Sequence, residues 1–231
     1  GYVVLLPSSY SARGFCDKHK DGGKIPASFD DAPEQILGRM YDVDAAARYM
    51  CDLPEIDCDR MGVMGFSQGG TMTMLAVHWQ FEHAIAHFRA TKGNSVDVEI
   101  PDVPPGRPEF QVGVAYYPGC GFDGLVPLST GNKAAKENKF FSAVPLTILH
   151  GEDDSLVKHC SKAHGTGTRE IQSAEVAQAV GAADTYELKV YKDAGHSFDT
   201  PSVASGGTDS GNAAAKADAL EITLARLAEY L

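Results

Sequence analysis

Ser67 sits within Gly65-Phe66-Ser67-Gln68-Gly69-Gly70, between the apolar run Met61-Gly62-Val63-Met64 and a helical stretch opening Thr71-Met72-Thr73-Met74. The G-x-S-x-G spacing on a strand, tight turn and helix lifts a serine hydroxyl clear of a sheet, where it can attack a carbonyl. Gly65 and Gly69 are expected to be the positions where a Cβ would strike the neighbouring strand and helix. The Gln68 N–H, at the helix N-terminus, would point toward charge developing on a substrate oxygen.

A serine alone is a weak nucleophile; it needs a base, and the base needs an orienting acid. Two later loops offer them. After an apolar strand at 145–149 comes His150-Gly151-Glu152-Asp153-Asp154-Ser155. After a strand at 186–191 comes Lys192-Asp193-Ala194-Gly195-His196-Ser197-Phe198-Asp199. Asp154 is the candidate acid by its offset from Gly151, with Glu152 and Asp153 as rivals and a solvated turn as the plain alternative. His196 is the candidate base; the other histidines, His150 among them, lack so suitable a position.

These residues need elements to hold them. Strands read at 2–6, 61–65, 111–117, 145–149 and 186–191, and helices at 32–52, 69–90, 170–181 and 212–231. Gly1-Tyr2-Val3-Val4-Leu5-Leu6-Pro7 opens as a continuous apolar run, the pattern of a buried parallel strand. In the last helix Leu220, Ile222, Leu224, Leu227 and Leu231 read as a core-facing stripe. Residues 8–31, 91–110 and 199–211 are loops rich in Gly, Pro, Ser and Asp. Strands alternating with helices argue for an α/β fold, a mostly parallel sheet with helices on both faces.

The 231 residues, 43% hydrophobic and 22% charged, suit one soluble globular domain. A net charge of −11 argues against nucleic acid or an anionic membrane surface as partner. No apolar run approaches the ~20 residues of a membrane span. The five cysteines (16, 51, 58, 120 and 160) are odd in number without C-x-x-C spacing, so a zinc site is not expected. Free buried thiols are the default, with a Cys120–Cys160 disulfide as the alternative in an exported protein. His83 and His87, four apart on a helix, read as a polar face rather than metal ligands.

Taken together, the chain resembles the dienelactone hydrolase family, within the α/β-hydrolase fold. The carrying residues are Gly1 to Ser9, Arg13-Gly14, Arg39 with Asp42, Gly65 to Gly70, Tyr117-Pro118-Gly119-Cys120, Gly151 to Asp154, and Ala194 to Asp199. The resemblance spans nearly the whole chain. It implies a single α/β-hydrolase domain over 1–231 and the order serine, acid, histidine along the chain. It also implies N-terminal truncation: the family has further strands and a His-Gly-rich loop, with a second oxyanion N–H, ahead of the strand at 2–6. An upstream strand would then separate 2–6 from 61–65.

The namesake enzymes use cysteine where this chain has Ser67, which turns the expectation from dienelactone to an ordinary ester or lactone as small-molecule substrate. No metal or organic cofactor is called for. Arg13 could grip a substrate carboxylate with two hydrogen bonds, or serve as a structural ion pair. A carboxylesterase, lysophospholipase-like or thioesterase activity would use the same triad. A non-catalytic binding module on the same fold is the reading from a different class.

Overall fold

The computed structural model describes residues 1–9, 33–78, 106, 108–120, 142–160, 186–200 and 202–231. Arg13, Cys16, His83, His87, the helix read at 170–181 and most of the loops 8–31 and 91–110 lie outside the described residues. The chain divides into two compact units: Gly1–Cys58 with Glu82–Pro108, and Asp59–Phe81 with Glu109–Leu231.

In the first unit, helix α1 (Pro33–Cys51) opens on proline, whose missing N–H costs nothing at a first helical position. It buries Met40, Asp44 and Ala47, at spacings of four and three. The buried Asp44 carboxylate is matched by Arg48 Nε at 2.8 Å, one turn on. Cys51 and Cys58 form a disulfide with Cα atoms 5.1 Å apart. The strand read at 2–6 is not there. Residues 1–8 are irregular and exposed, with Val4 74% and Leu6 87% accessible. An apolar run becomes a buried strand only when a neighbouring strand takes up its N–H and C=O groups, and none pairs with it among the described residues.

The second unit holds the sheet. Strands β1 (Gly62–Phe66), β2 (Val112–Tyr116), β3 (Leu146–Gly151) and β4 (Tyr186–Tyr191) lie side by side in chain order. All three pairings are parallel. β2 and β3 are buried at every position, as parallel strands covered on both faces must be. Helix α2 (Gln68–Ala76) covers one face: a Cβ at Gly113 would meet Val77 and Thr73. Its neighbour Val114 points the other way, into a cluster with Phe198, Tyr191, Leu149, Ala215 and Ala219. The last two belong to helix α4 (Asp209–Tyr230), so helices lie on both faces of β2. α2 ends at Ala76, short of the expected 90, and His78 then bridges to Ser142.

α4 is capped by Thr208, whose side chain accepts from the Gly211 N–H. Its fully buried residues are Asn212, Ala215, Ala219 and Thr223. Of the stripe read from sequence, Ile222 packs against the core cluster and Leu227 and Leu231 lie over Gly62 of β1, whereas the other two members face outward. Leu220 and Leu224 are 54% and 51% exposed. Residues 220, 222 and 224 step by two, roughly 200° per step, and cannot share one helix face. Small residues at 215 and 219 bring the helix close to the sheet. The loop read at 199–211 also contains a strand, β6 (Ser205–Gly207), antiparallel to β5 (Ala194–His196).

Candidate active site

Ser67 occupies the turn between β1 and α2 with φ 52° and ψ −116°, a conformation that L-residues avoid. Its N–H bonds to the Tyr116 carbonyl at 2.9 Å and its C=O starts α2 by accepting from Thr71. Of the two glycines expected to be crowded, Gly65 is and Gly69 is not; the second crowded position is Gly70. A Cβ at Gly65 would lie 2.2 Å from the Gly69 carbonyl oxygen, and one at Gly70 would lie 2.8 Å from the Tyr116 oxygen. At Gly69 no described atom comes within 4 Å. The pattern G-x-S-x-G marks Gly69, but the helix turns its Cα outward and brings Gly70 against β2. Gly70→Ala is therefore expected to lower the urea midpoint, at a cost of about 1–3 kcal/mol for overpacking. Gly69→Ala is expected to raise it, by up to ~1 kcal/mol from helix propensity. Equal midpoints for the two variants would contradict this geometry.

His196 lies at the end of β5, with Nε2 2.8 Å from Ser67 Oγ. Its Nδ1 is 2.6 Å from Asp154 Oδ2. A carboxylate only accepts, so Nδ1 carries the proton and Nε2 is free to accept from the serine hydroxyl. Asp154 is buried, and its Oδ1 accepts from the Leu156 N–H at 2.9 Å. The rivals Glu152 and Asp153 are exposed. Their backbone N–H groups go instead to the Tyr191 and Ala194 carbonyls, which pins the acid loop beside β5. The structure thus brings Ser67, His196 and Asp154 together in one relay. Gln68 is the first residue of α2, beside them.

Surrounding residues fix the imidazole. The Tyr117 ring meets His196 edge-on, with centroids 4.8 Å apart, and the Tyr117 hydroxyl donates to Asp199. Phe198 is fully buried beneath the turn that follows His196. Asn212 Oδ1 accepts from the Gly195 N–H, tying α4 to the histidine loop. Thr71 exchanges hydrogen bonds with both the N–H and the C=O of Gly119, clamping the loop after β2 to the elbow helix. None of these partners follows from spacing along the chain, since each couples residues far apart in sequence.

Cys120, in that loop, forms a disulfide with Cys160 at the end of helix α3 (Val157–Cys160), with Cα atoms 5.2 Å apart. The default of free thiols is thus overturned for four of the cysteines. Both pairs sit within the Cα separations a disulfide spans, a fact of folding that an odd count concealed. Among the described residues no group of three or more His, Cys, Asp or Glu could hold a metal ion. Nor is any described helix long and apolar enough to cross a membrane.

A second imidazole, His150, is fully buried, with Nδ1 3.5 Å from Asp154 Oδ2. Burial pushes it down from the ordinary histidine value; the Asp154 charge and the backbone of Pro118 and Gly151 oppose this without reversing it. For Asp154, burial alone would raise the carboxyl. Hydrogen bonds from His196 and the Leu156 N–H, with the fields of His150 and His196, outweigh burial and hold it below the usual carboxylate range. Both groups release protons more readily when folded, so both make stability rise with pH. The His150 contribution is whole above about pH 6.5, and is lost as pH falls toward its lowered folded value. The Asp154 contribution is whole above about pH 3.9 and is lost as pH falls through its own. Among the described residues, the titratable groups facing His150 are Asp154, charged through the upper window, and His196. Between about pH 6.5 and 4, the urea midpoint should fall less for His150→Gln than for wild type. Parallel curves would show that His150 takes up no proton on unfolding.

A parallel sheet covered on both faces, with a serine elbow after β1 and acid and imidazole on loops beyond β3 and β4, is the architecture of an α/β-hydrolase. The chain belongs to the dienelactone hydrolase family, whose model matches residues 1–103 and 102–231. A search of curated proteins found no match. Among solved structures, it is similar to a thermophilic esterase of Thermogutta terrifontis, with 16% identity and a TM-score of 0.49 over 85% of this chain and 64% of that one. It is also similar to a dienelactone hydrolase-like promiscuous phosphotriesterase from metagenomic libraries, with 16% identity and a TM-score of 0.44 over 96% of this chain and 69% of that one. The chain spans about two thirds of the length of these structures.

Proposed function

We propose that the protein is a serine hydrolase that cleaves a carboxylic ester or lactone through an acyl-enzyme on Ser67. The observation that carries this reading is the unbroken relay from Ser67 Oγ through His196 to Asp154, at 2.8 and 2.6 Å. His196 Nε2 takes the hydroxyl proton as Oγ attacks the ester carbonyl. Asp154 holds the imidazole in the required tautomer and stabilises the imidazolium. The Gln68 N–H, at the start of α2, is the proposed donor to the tetrahedral oxyanion. The C–O bond breaks as His196 returns the proton to the leaving alcohol. A water molecule then repeats the sequence on the acyl-enzyme and frees the acid. Every step uses groups of the chain itself and water, without calling on a metal or organic cofactor.

The presence of serine rather than cysteine shapes the substrate expectation. Serine is not ionised near neutral pH, so it depends on His196 for activation and suits esters that accept general-base attack. The test is intact mass after exposure to a fluorophosphonate, with peptide mapping, beside hydrolysis of p-nitrophenyl esters of graded acyl length. One adduct on Ser67 with ester turnover is the expected result. No adduct and no turnover would favour a non-catalytic binding module on the same fold.

A further inference from the structure

His150, next to the last residue of β3 and fully buried, is the one titratable side chain of that strand, and the proposed acyl transfer gives it no task. Its Nε2 lies 3.2 Å from the Pro118 carbonyl oxygen. We infer that His150 is a positioning residue, which ties the acid loop to the loop after β2 and keeps Asp154 Oδ2 for His196 alone; this rests on the hydrolase reading above. The atoms decide its protonation pattern. A carbonyl oxygen only accepts, so Nε2 carries the proton and donates to Pro118. In the neutral ring Nδ1 is then bare, and it has no hydrogen-bond partner among the described residues. It faces Asp154 Oδ2 at 3.5 Å, too long for a hydrogen bond and with no proton to offer.

The consequence is selective. Asp154 Oδ1 is taken by the Leu156 N–H and Oδ2 by His196 Nδ1. Oδ2 is also faced by the fully buried His150 ring, whose bare Nδ1 brings no competing donor. The carboxylate therefore gives its charge undivided to His196, where the imidazolium forms. The anchor is firm at its other end as well. Pro118 precedes Gly119, which Thr71 clamps to the elbow helix, and Cys120, which is bonded to Cys160. Through His150 the acid loop is thus held in register with the serine elbow.

Two amide variants separate this role from simple packing. The amide of His150→Gln reaches about as far as Nε2 and can donate to Pro118. The amide of His150→Asn stops near the Nδ1 position, cannot reach Pro118, and places a donor beside Asp154 Oδ2. We expect His150→Asn to lower kcat roughly ten- to a hundredfold at unchanged KM, the scale of a displaced catalytic group. In His150→Asn the downfield proton resonance of the His196 Nδ1–H should shift upfield or vanish. His150→Gln should stay near wild type in both readouts. Equal kcat for the two variants with an unchanged downfield resonance overturns the inference, whatever their melting temperatures. A wild-type chain that neither turns over esters nor forms the Ser67 adduct fails on the hydrolase reading itself, and takes this inference with it.

Discussion

Ser67→Ala and Ser67→Gly are both expected to lose ester turnover, by about 10⁴–10⁶ in kcat, the scale on which removing a triad nucleophile acts. They should differ in stability in a way that reports what the elbow costs. Ser67 stands at φ 52° and ψ −116°, where a Cβ is strained by ~1–3 kcal/mol. Alanine keeps that Cβ and therefore the strain. Glycine releases it, against an entropic penalty of roughly 0.5–1 kcal/mol in the unfolded chain. The lost hydroxyl itself matters little, because the His196 side chain is 25% exposed and water can replace Oγ at Nε2. Ser67→Ala should unfold at the wild-type urea concentration, and Ser67→Gly at a higher one by about 1 kcal/mol. A glycine variant no more stable than the alanine variant would mean that the turn stores no strain at this residue. Retained turnover in either would remove Ser67 from the mechanism.

Much of this site was legible because its chemistry depends on residue type at short range. Gly65-Phe66-Ser67-Gln68-Gly69-Gly70 is a contiguous string in which the turn, the nucleophile and the helix start are all local. The loops holding Asp154 and His196 each follow an apolar strand, and strand ends in a parallel sheet converge on one edge. β2, β3 and β4 were readable for the same reason, as short β-branched and aromatic runs bounded by polar turns.

What sequence could not show was the partner of each element. The run at 2–6 has the composition of a buried strand, yet composition does not supply the strand beside it. In α4 the stripe read at helical spacing is right for Ile222, Leu227 and Leu231 and wrong for Leu220 and Leu224, while the fully buried positions go to the small Ala215 and Ala219. Gly70 rather than Gly69 is the crowded position because β2, over 40 residues on, passes behind it. His150, read as less suitably placed than His196 to act as base, meets Asp154 only through the way the acid loop folds back over β3. Apart from the outward Leu220 and Leu224, whose spacing already sets them off from Ile222, each difference is a contact made across the chain, where spacing carries no information.

Asp154→Asn should lower kcat by about 10⁴ while leaving fold and KM in place, because it reverses the imidazole tautomer. The reversal follows from one backbone bond. The Leu156 N–H donates to Oδ1, so an asparagine here must keep its oxygen on that side. Its NH₂ group then replaces Oδ2 and faces His196 Nδ1 as a donor. To meet a donor, Nδ1 must give up its proton, which moves to Nε2. Nε2–H then points at Ser67 Oγ and can no longer accept the hydroxyl proton. The same change removes the charge that steadies the imidazolium, so the two losses act on one step. Glu152→Gln and Asp153→Asn, two and one residues upstream and exposed, should leave kcat unchanged and serve as controls. A neutron or proton NMR reading of the variant should find the His196 proton on Nε2. A proton still on Nδ1, with kcat near wild type, would show that the asparagine amide had flipped against Leu156 and that orientation of the ring, rather than charge on residue 154, is what Ser67 requires.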